Sequence, residues 1–238
     1  MIEEQEKKPF GLDSSGPWTD LGLTLPIFVG YHLGVVFLPV RNAADLVTRE
    51  LAVLANNSLL AYSLLTLAIG AAYVMVLVVL GRGHALYWER FGLIAAEGVV
   101  YAIAMRFIAG WVVGRLFLAA AGAPTSTFAG LVMSLGAGFY EEIAFRVVLF
   151  GLGARLIAML FPMLAPLRAI GVKVAWAVIA AAIFSAWHYV GDLGDPFEAR
   201  SFVFRWVCGL VFTAIYWLRG FAPVVWTHAL YDVWVLVL

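Results

Sequence analysis

Seven apolar stretches recur along the chain, at roughly 21–40, 59–80, 93–121, 128–150, 174–190, 202–218 and 222–238. About 20 apolar residues in a helix cross the ~30 Å hydrocarbon core of a bilayer. Backbone groups in lipid must be paired within their own segment, so each stretch is read as a helix. The pattern predicts an all-α, polytopic transmembrane helix bundle with about seven spanning helices. Leu59 to Leu80 is the cleanest span, carrying no formal charge. The stretch 41–58 is mixed (Arg41, Asp45, Arg49, Glu50) and reads as an amphipathic surface helix. Residues 151–173 contain Pro162 and Pro166 and read as a broken or interfacial segment. Asp192-Leu193-Gly194-Asp195-Pro196 reads as a loop. No internal repeat or low-complexity tract is evident.

Composition sharpens this picture. Apolar residues make up 64% of the 238 residues and charged residues 13%. A soluble domain carries roughly a quarter charged residues, so the chain needs membrane lipid as a partner. The expected division is a polar N-terminal tail, 1–20, and one transmembrane domain, 21–238, with no separate soluble domain. The tail lacks the apolar core of a cleavable signal peptide, so membrane entry falls to the first span. With 15 basic and 15 acidic residues and no basic block, nucleic-acid binding is set aside. The single cysteine, Cys208, offers neither an internal disulfide nor a thiolate metal site. Basic residues in alternate loops favour a cytoplasmic N-terminus. Short loops fit a multi-pass protein of a bacterial inner membrane.

Ionisable groups within the spans then carry the functional question, since each costs at least ~2.5 kcal/mol on insertion scales. The first cluster is Tyr140-Glu141-Glu142-Ile143-Ala144-Phe145-Arg146. Glu142 and Arg146 are four apart and share a helix face. Glu141 is rotated about 100° from Glu142 and has no such local partner, which leaves it to face a cavity and exchange a proton. The bland alternative is a structural ion pair beside an interfacial glutamate. The second cluster is Phe184-Ser185-Ala186-Trp187-His188, where the histidine is an acid/base candidate or an interfacial residue. The third is His228-Ala229-Leu230-Tyr231-Asp232, where the aspartate can fix the imidazole tautomer or merely staple the helix.

Depth tests whether these clusters form one site. At about 1.5 Å per residue from a common membrane side, Glu141 lies ~14 Å deep, His188 ~21 Å, His228 ~9 Å and Asp232 ~15 Å. Helices packed 8–10 Å apart could then bring side chains from three spans around one water.

The three clusters resemble the signatures of the CPBP family, the CAAX-protease and bacteriocin-processing membrane enzymes. Two glutamates, three residues and arginine are met by Glu141, Glu142 and Arg146. Phenylalanine, three residues and histidine are met by Phe184 and His188. Histidine, three residues and asparagine or aspartate are met by His228 and Asp232. All three occur in order, over about residues 120–238. The resemblance implies an intramembrane endopeptidase with a helical core around a conical cavity. It implies that Glu141 and His188 activate the attacking water, that His228 and Asp232 serve the oxyanion, and that Glu142 with Arg146 holds the geometry, supported by Phe184. An ionised aspartate cannot donate to an oxyanion, so Asp232 is assigned to orienting His228, with His228 as the donor.

The implied step is general-base attack of water on an amide carbonyl of a membrane-associated protein or peptide, with or without a C-terminal processing or sorting signal. The expected enzyme is a glutamic-type protease without a metal cofactor. Glu141, His188 and His228 are also a zinc ligand set, but no histidine-glutamate-x-x-histidine helix is present, and a metal-bound Glu141 would leave only the arginine-paired Glu142 as base. Two rivals stand beside the protease. A transporter also uses buried Glu, His and Arg, but usually with paired half-helices or repeats. A non-catalytic immunity or scaffold protein could keep the motifs without turnover.

Overall fold

The computed structural model describes residues 17–38, 42–45, 58–80, 87–113, 126–161, 166–191 and 194–238. Regular structure among the described residues is helical throughout, with no strand. The helices are α1 (Pro17–Leu23), α2 (Leu25–Val35), α3 (Leu59–Leu80), α4 (Trp88–Val113), α5 (Thr127–Gly136), α6 (Gly153–Leu160), α7 (Pro166–Trp187), α8 (Ala199–Arg219) and α9 (Phe221–Leu236). Two π-helical segments, Ala137–Glu141 and Ile143–Leu152, join α5 to α6. Together these pieces make one rod of 34 residues, Thr127–Leu160.

Five helical units have the length and apolar composition to cross a membrane: Leu59–Val79, Trp88–Val112, Thr127–Leu160, Ile170–Trp187 and Ala199–Arg219. The apolar stretches near 21–40 and 222–238 were also expected to span. They form helices of 11 and 16 residues, α2 and α9, and backbone bonds from Thr24 N–H to Asp20 and from Phe28 N–H to Thr24 join α1 to α2. The expected break over 151–173 falls after Leu160, where Phe161 leaves the helix, and 162–165 lie outside the described residues. The chain stays helical through Leu160 and resumes at Pro166, because proline at the first helical position sacrifices no intrahelical bond. Residues 42–45 form a turn, and the remainder of the expected surface helix at 41–58, apart from Ser58, lies outside the described residues.

Several helix ends have a local cause. Ser126 Oγ accepts the Ala129 N–H at 3.1 Å, capping α5. Glu198 caps α8 by accepting the Ser201 N–H at 2.7 Å. Between α8 and α9, Gly220 adopts φ +101°, a left-handed value that turns the chain sharply and favours glycine. The exposed N-terminus of α9 is then closed from across the fold. Asp20 of α1, 3% exposed, accepts the Phe221 N–H at 2.6 Å and the Ala222 N–H at 3.3 Å through Oδ2.

α9 runs through the middle of the bundle and packs against α4, α5, α8 and the π-helical segment 137–141. Ala222, Val224, Val225 and Ala229 on it are almost wholly buried. Gly138 lies against the backbone and Ala229 of this helix, where a Cβ would come within 2.7 Å of the Ala229 Cβ. That contact lets the rod carrying the two glutamates approach the helix carrying His228. On α4, Ala102, Met105 and Ala109 are buried, while Phe107 is 73% and Trp111 85% exposed. One stripe packs inward and the other presents apolar surface that only lipid can cover.

Candidate active site

The two neighbouring glutamates leave the rod in different directions and enter different networks. Glu142 is fully buried, and its Oε1 accepts the Nδ1–H of His228 at 2.6 Å. Arg146 Nη1 lies 3.1 Å from the same oxygen, off-line for a hydrogen bond. The Arg146 guanidinium, itself 1% exposed, sits over the ring of Phe184 at 4.2 Å and that of Phe212 at 5.0 Å. A buried cation is thus held by one carboxylate and two aromatic faces.

His228 is fixed from three sides. Glu142 holds Nδ1, and Phe212 stacks on the ring with 4.4 Å between centroids. Asp232 Oδ2 stands 3.5 Å from Nε2. Asp232, expected to orient His228, therefore shares the ring with a second carboxylate, Glu142. The short bond comes from Glu142 on another helix, and Asp232, four residues along α9, reaches the opposite nitrogen at longer range. Spacing along one helix could reveal the second contact but not the first.

Glu141 faces the other histidine. Its Oε2 is buried without a hydrogen-bond partner and lies 4.0 Å from His188 Nε2. The other oxygen, Oε1, accepts the Nδ2–H of Asn42 at 2.8 Å. His188 lies just past the end of α7, and its Nδ1 is 3.0 Å from the carbonyl of Phe184. A carbonyl only accepts, so Nδ1 donates, and in the neutral ring Nε2 is left as an acceptor turned toward Glu141. Phe184 therefore serves both halves: its carbonyl sets His188, and its ring seats Arg146. The Phe184 ring centroid lies 5.1 Å from that of His188 and 6.1 Å from that of His228.

The structure thus gathers Glu141, Glu142, Arg146, Phe184, His188, His228 and Asp232 into one connected cluster. Several of its members escaped sequence reasoning. Asn42 reaches Glu141 from the turn after α2, and Tyr31 and Asp45 support that turn. His32 Nε2 and the Tyr140 hydroxyl are 2.7 Å apart beside Glu141. Phe212 carried no signal beyond being one more aromatic residue in an apolar span.

A multi-helix membrane bundle with a buried carboxylate–imidazole centre is the class that fold and site define. Residues 123–234 match the family model described as Type II CAAX prenyl endopeptidase Rce1-like. That segment holds both glutamates and both histidines of the centre and is consistent with the CPBP/CAAX protease family. Five helices long and apolar enough to cross a membrane accord with an integral membrane protein, and the matched segment with a protease. No curated protein matches the chain, and no solved structure does.

Proposed function

We propose that the chain is an intramembrane endopeptidase in which Glu141 and His188 activate a water for attack on a peptide bond. The observation that carries this reading is the unpartnered Oε2 of Glu141, buried 4.0 Å from an imidazole nitrogen. Two acceptors facing each other call for a donor between them. A water giving one hydrogen to each, at about 2.8 Å, would hold them roughly 4.4 Å apart, close to the spacing present. Its lone pair then points away from both groups, toward a carbonyl carbon. Glu141 takes the proton as the C–O bond forms and returns it to the amine as the C–N bond breaks.

His228 is the proposed oxyanion donor, through Nε2–H. With Nδ1–H already given to Glu142, this role requires the imidazolium form, flanked by Glu142 at one nitrogen and Asp232 at the other. One such donor lowers the barrier by about 3–4 kcal/mol. The substrates proposed are membrane-associated proteins or peptides with a C-terminal processing signal.

A zinc site built from Glu141, His188 and His228 fits less well. Two ligands on a tetrahedral zinc, each at 2.0–2.1 Å, stand about 3.4 Å apart. The Glu141–His188 gap is 4.0 Å, and the Glu142 bond at His228 Nδ1 leaves only Nε2 of that ring for a metal. Among the described residues no group of three His, Cys, Asp or Glu side chains is arranged to hold a metal.

The test is hydrolysis of an internally quenched peptide ending in a CAAX sequence, prenylated and unprenylated, by the protein in proteoliposomes. Mass spectrometry of the products locates the cut. The reading expects cleavage that persists after dialysis against a zinc chelator. Activity lost on chelation and restored by zinc would favour the metal reading. Ion flux without cleavage would favour a transporter.

A further inference from the structure

We infer that Asn42, which lies outside the residues shared with the protease family, is a positioning residue for the general base Glu141. This inference rests on the proposed role of Glu141.

Asn42 is 8% exposed and spends both ends of its amide. Its Oδ1 accepts the Ala44 N–H at 2.8 Å, closing a local turn. Only a carbonyl oxygen can take that hydrogen, so the amide orientation is settled by the network, and Nδ2 must point the other way. It points at Glu141 Oε1, 2.8 Å distant.

The turn is itself held. The Asn42 N–H donates to the Tyr31 hydroxyl at 3.3 Å, and that hydroxyl donates to Asp45 Oδ2 at 2.7 Å. The Asp45 N–H returns to the Asn42 carbonyl at 3.0 Å, closing the loop of bonds. Tyr31 is wholly buried, with its ring against Gly136, where a Cβ would collide with it. Tyr31 and the turn 42–45 are thereby keyed to the same rod that bears Glu141.

The chemical consequence concerns which oxygen reacts. A carboxylate on a flexible side chain can present either oxygen. With Oε1 bound to Asn42, only Oε2 is left to face His188, and the plane of the carboxylate is set before a substrate arrives. The donor also matters by kind: an N–H supports a carboxylate oxygen, whereas a second carboxylate would repel it.

That distinction gives the experiment. Kinetics are measured in proteoliposomes with the quenched CAAX peptide for wild type, Asn42→Ala, Asn42→Asp and Glu141→Gln, with thermal unfolding in parallel. Aspartate is isosteric and accepts the Ala44 N–H as asparagine does, so a role confined to the turn leaves Asn42→Asp near wild type and makes Asn42→Ala the worse variant. The positioning role predicts the reverse order. Asn42→Asp loses about 100-fold in kcat and Asn42→Ala about 10- to 100-fold, with KM within about twofold. Where the aspartate variant does not fold, the kcat loss of Asn42→Ala at unchanged KM and unfolding temperature supports the proposal, and wild-type kcat overturns it. An inactive Glu141→Gln beside a fully active Asn42→Asp overturns the role of Asn42 alone. A fully active Glu141→Gln overturns both this proposal and the reading beneath it.

Discussion

At the scale of single residues, the division of labour between Glu141 and Glu142 decides the chemistry. They are neighbours in sequence, and Oε2 of each lacks a hydrogen-bond partner, but Glu142 is engaged by Arg146 and His228 through Oε1 while Oε2 of Glu141 faces His188. Glu141→Gln and His188→Ala should therefore lower kcat by at least about 10²–10⁴-fold, the usual contribution of a positioned general base, with unfolding temperature little changed. Glu142→Gln should behave differently. It leaves Arg146 as an uncompensated cation in a site 1% exposed, a change that costs about 3–5 kcal/mol when a buried pair is broken. The measurement is thermal unfolding in detergent, where Glu142→Gln should fall well below Glu141→Gln. The sequence made Glu141, Glu142 and Arg146 legible, because charge inside an apolar span is costly and so conspicuous. It did not reveal the Glu142–His228 bond, which joins residues 86 positions apart, nor Phe212, whose stacking on His228 looks like ordinary apolar composition until the helices are in place.

At the scale of elements, the site depends on how closely the glutamate rod approaches α9. Gly138 permits that approach, since a side chain there would meet the α9 backbone at 2.8 Å. Gly138→Ala should cost about 1–3 kcal/mol by overpacking, and should reduce kcat as well by pushing Glu142 away from His228. The N-terminus of α9 offers a contrast. Asp20 caps it from α1, so Asp20→Ala should lower stability by about 1–2 kcal/mol while kcat at a temperature well below unfolding stays within twofold. Unfolding curves paired with kcat at one temperature separate the two predictions. The seven apolar stretches were readable as helices because composition and length suffice for that. The lengths of α2 and α9, the π-helical stretch through the glutamates and the continuation of the rod to Leu160 were not. Each depends on packing against neighbours that hydropathy does not describe.

At the scale of the whole molecule, the fold turns apolar composition into two surfaces. Outward-facing residues such as Leu60, Leu67, Phe107 and Trp111 are largely exposed and match lipid. The inward face carries Glu141, Glu142, Arg146, Ser185 and His228, all nine-tenths or more buried. Depth counting along helices predicted that the motif residues share one band of the membrane; their side chains meet in one cluster. The contribution of residues 31–45 had no such signature, for Asn42 and Asp45 look in sequence like part of a polar connection between spans. Their bonds to Glu141 and Tyr31 make the N-terminal segment part of the centre, so removing residues 1–57 should abolish cleavage of the quenched peptide even where residues 58–238 remain in the membrane.

The central claim is that one water is shared by Glu141 and His188. An experimental structure in a lipid nanodisc, at a resolution that shows ordered water, tests it most directly. The account predicts density for a single water within hydrogen-bonding distance of both Glu141 Oε2 and His188 Nε2. A Glu141 carboxylate turned to lipid, or the two groups too far apart to share a water, would contradict it.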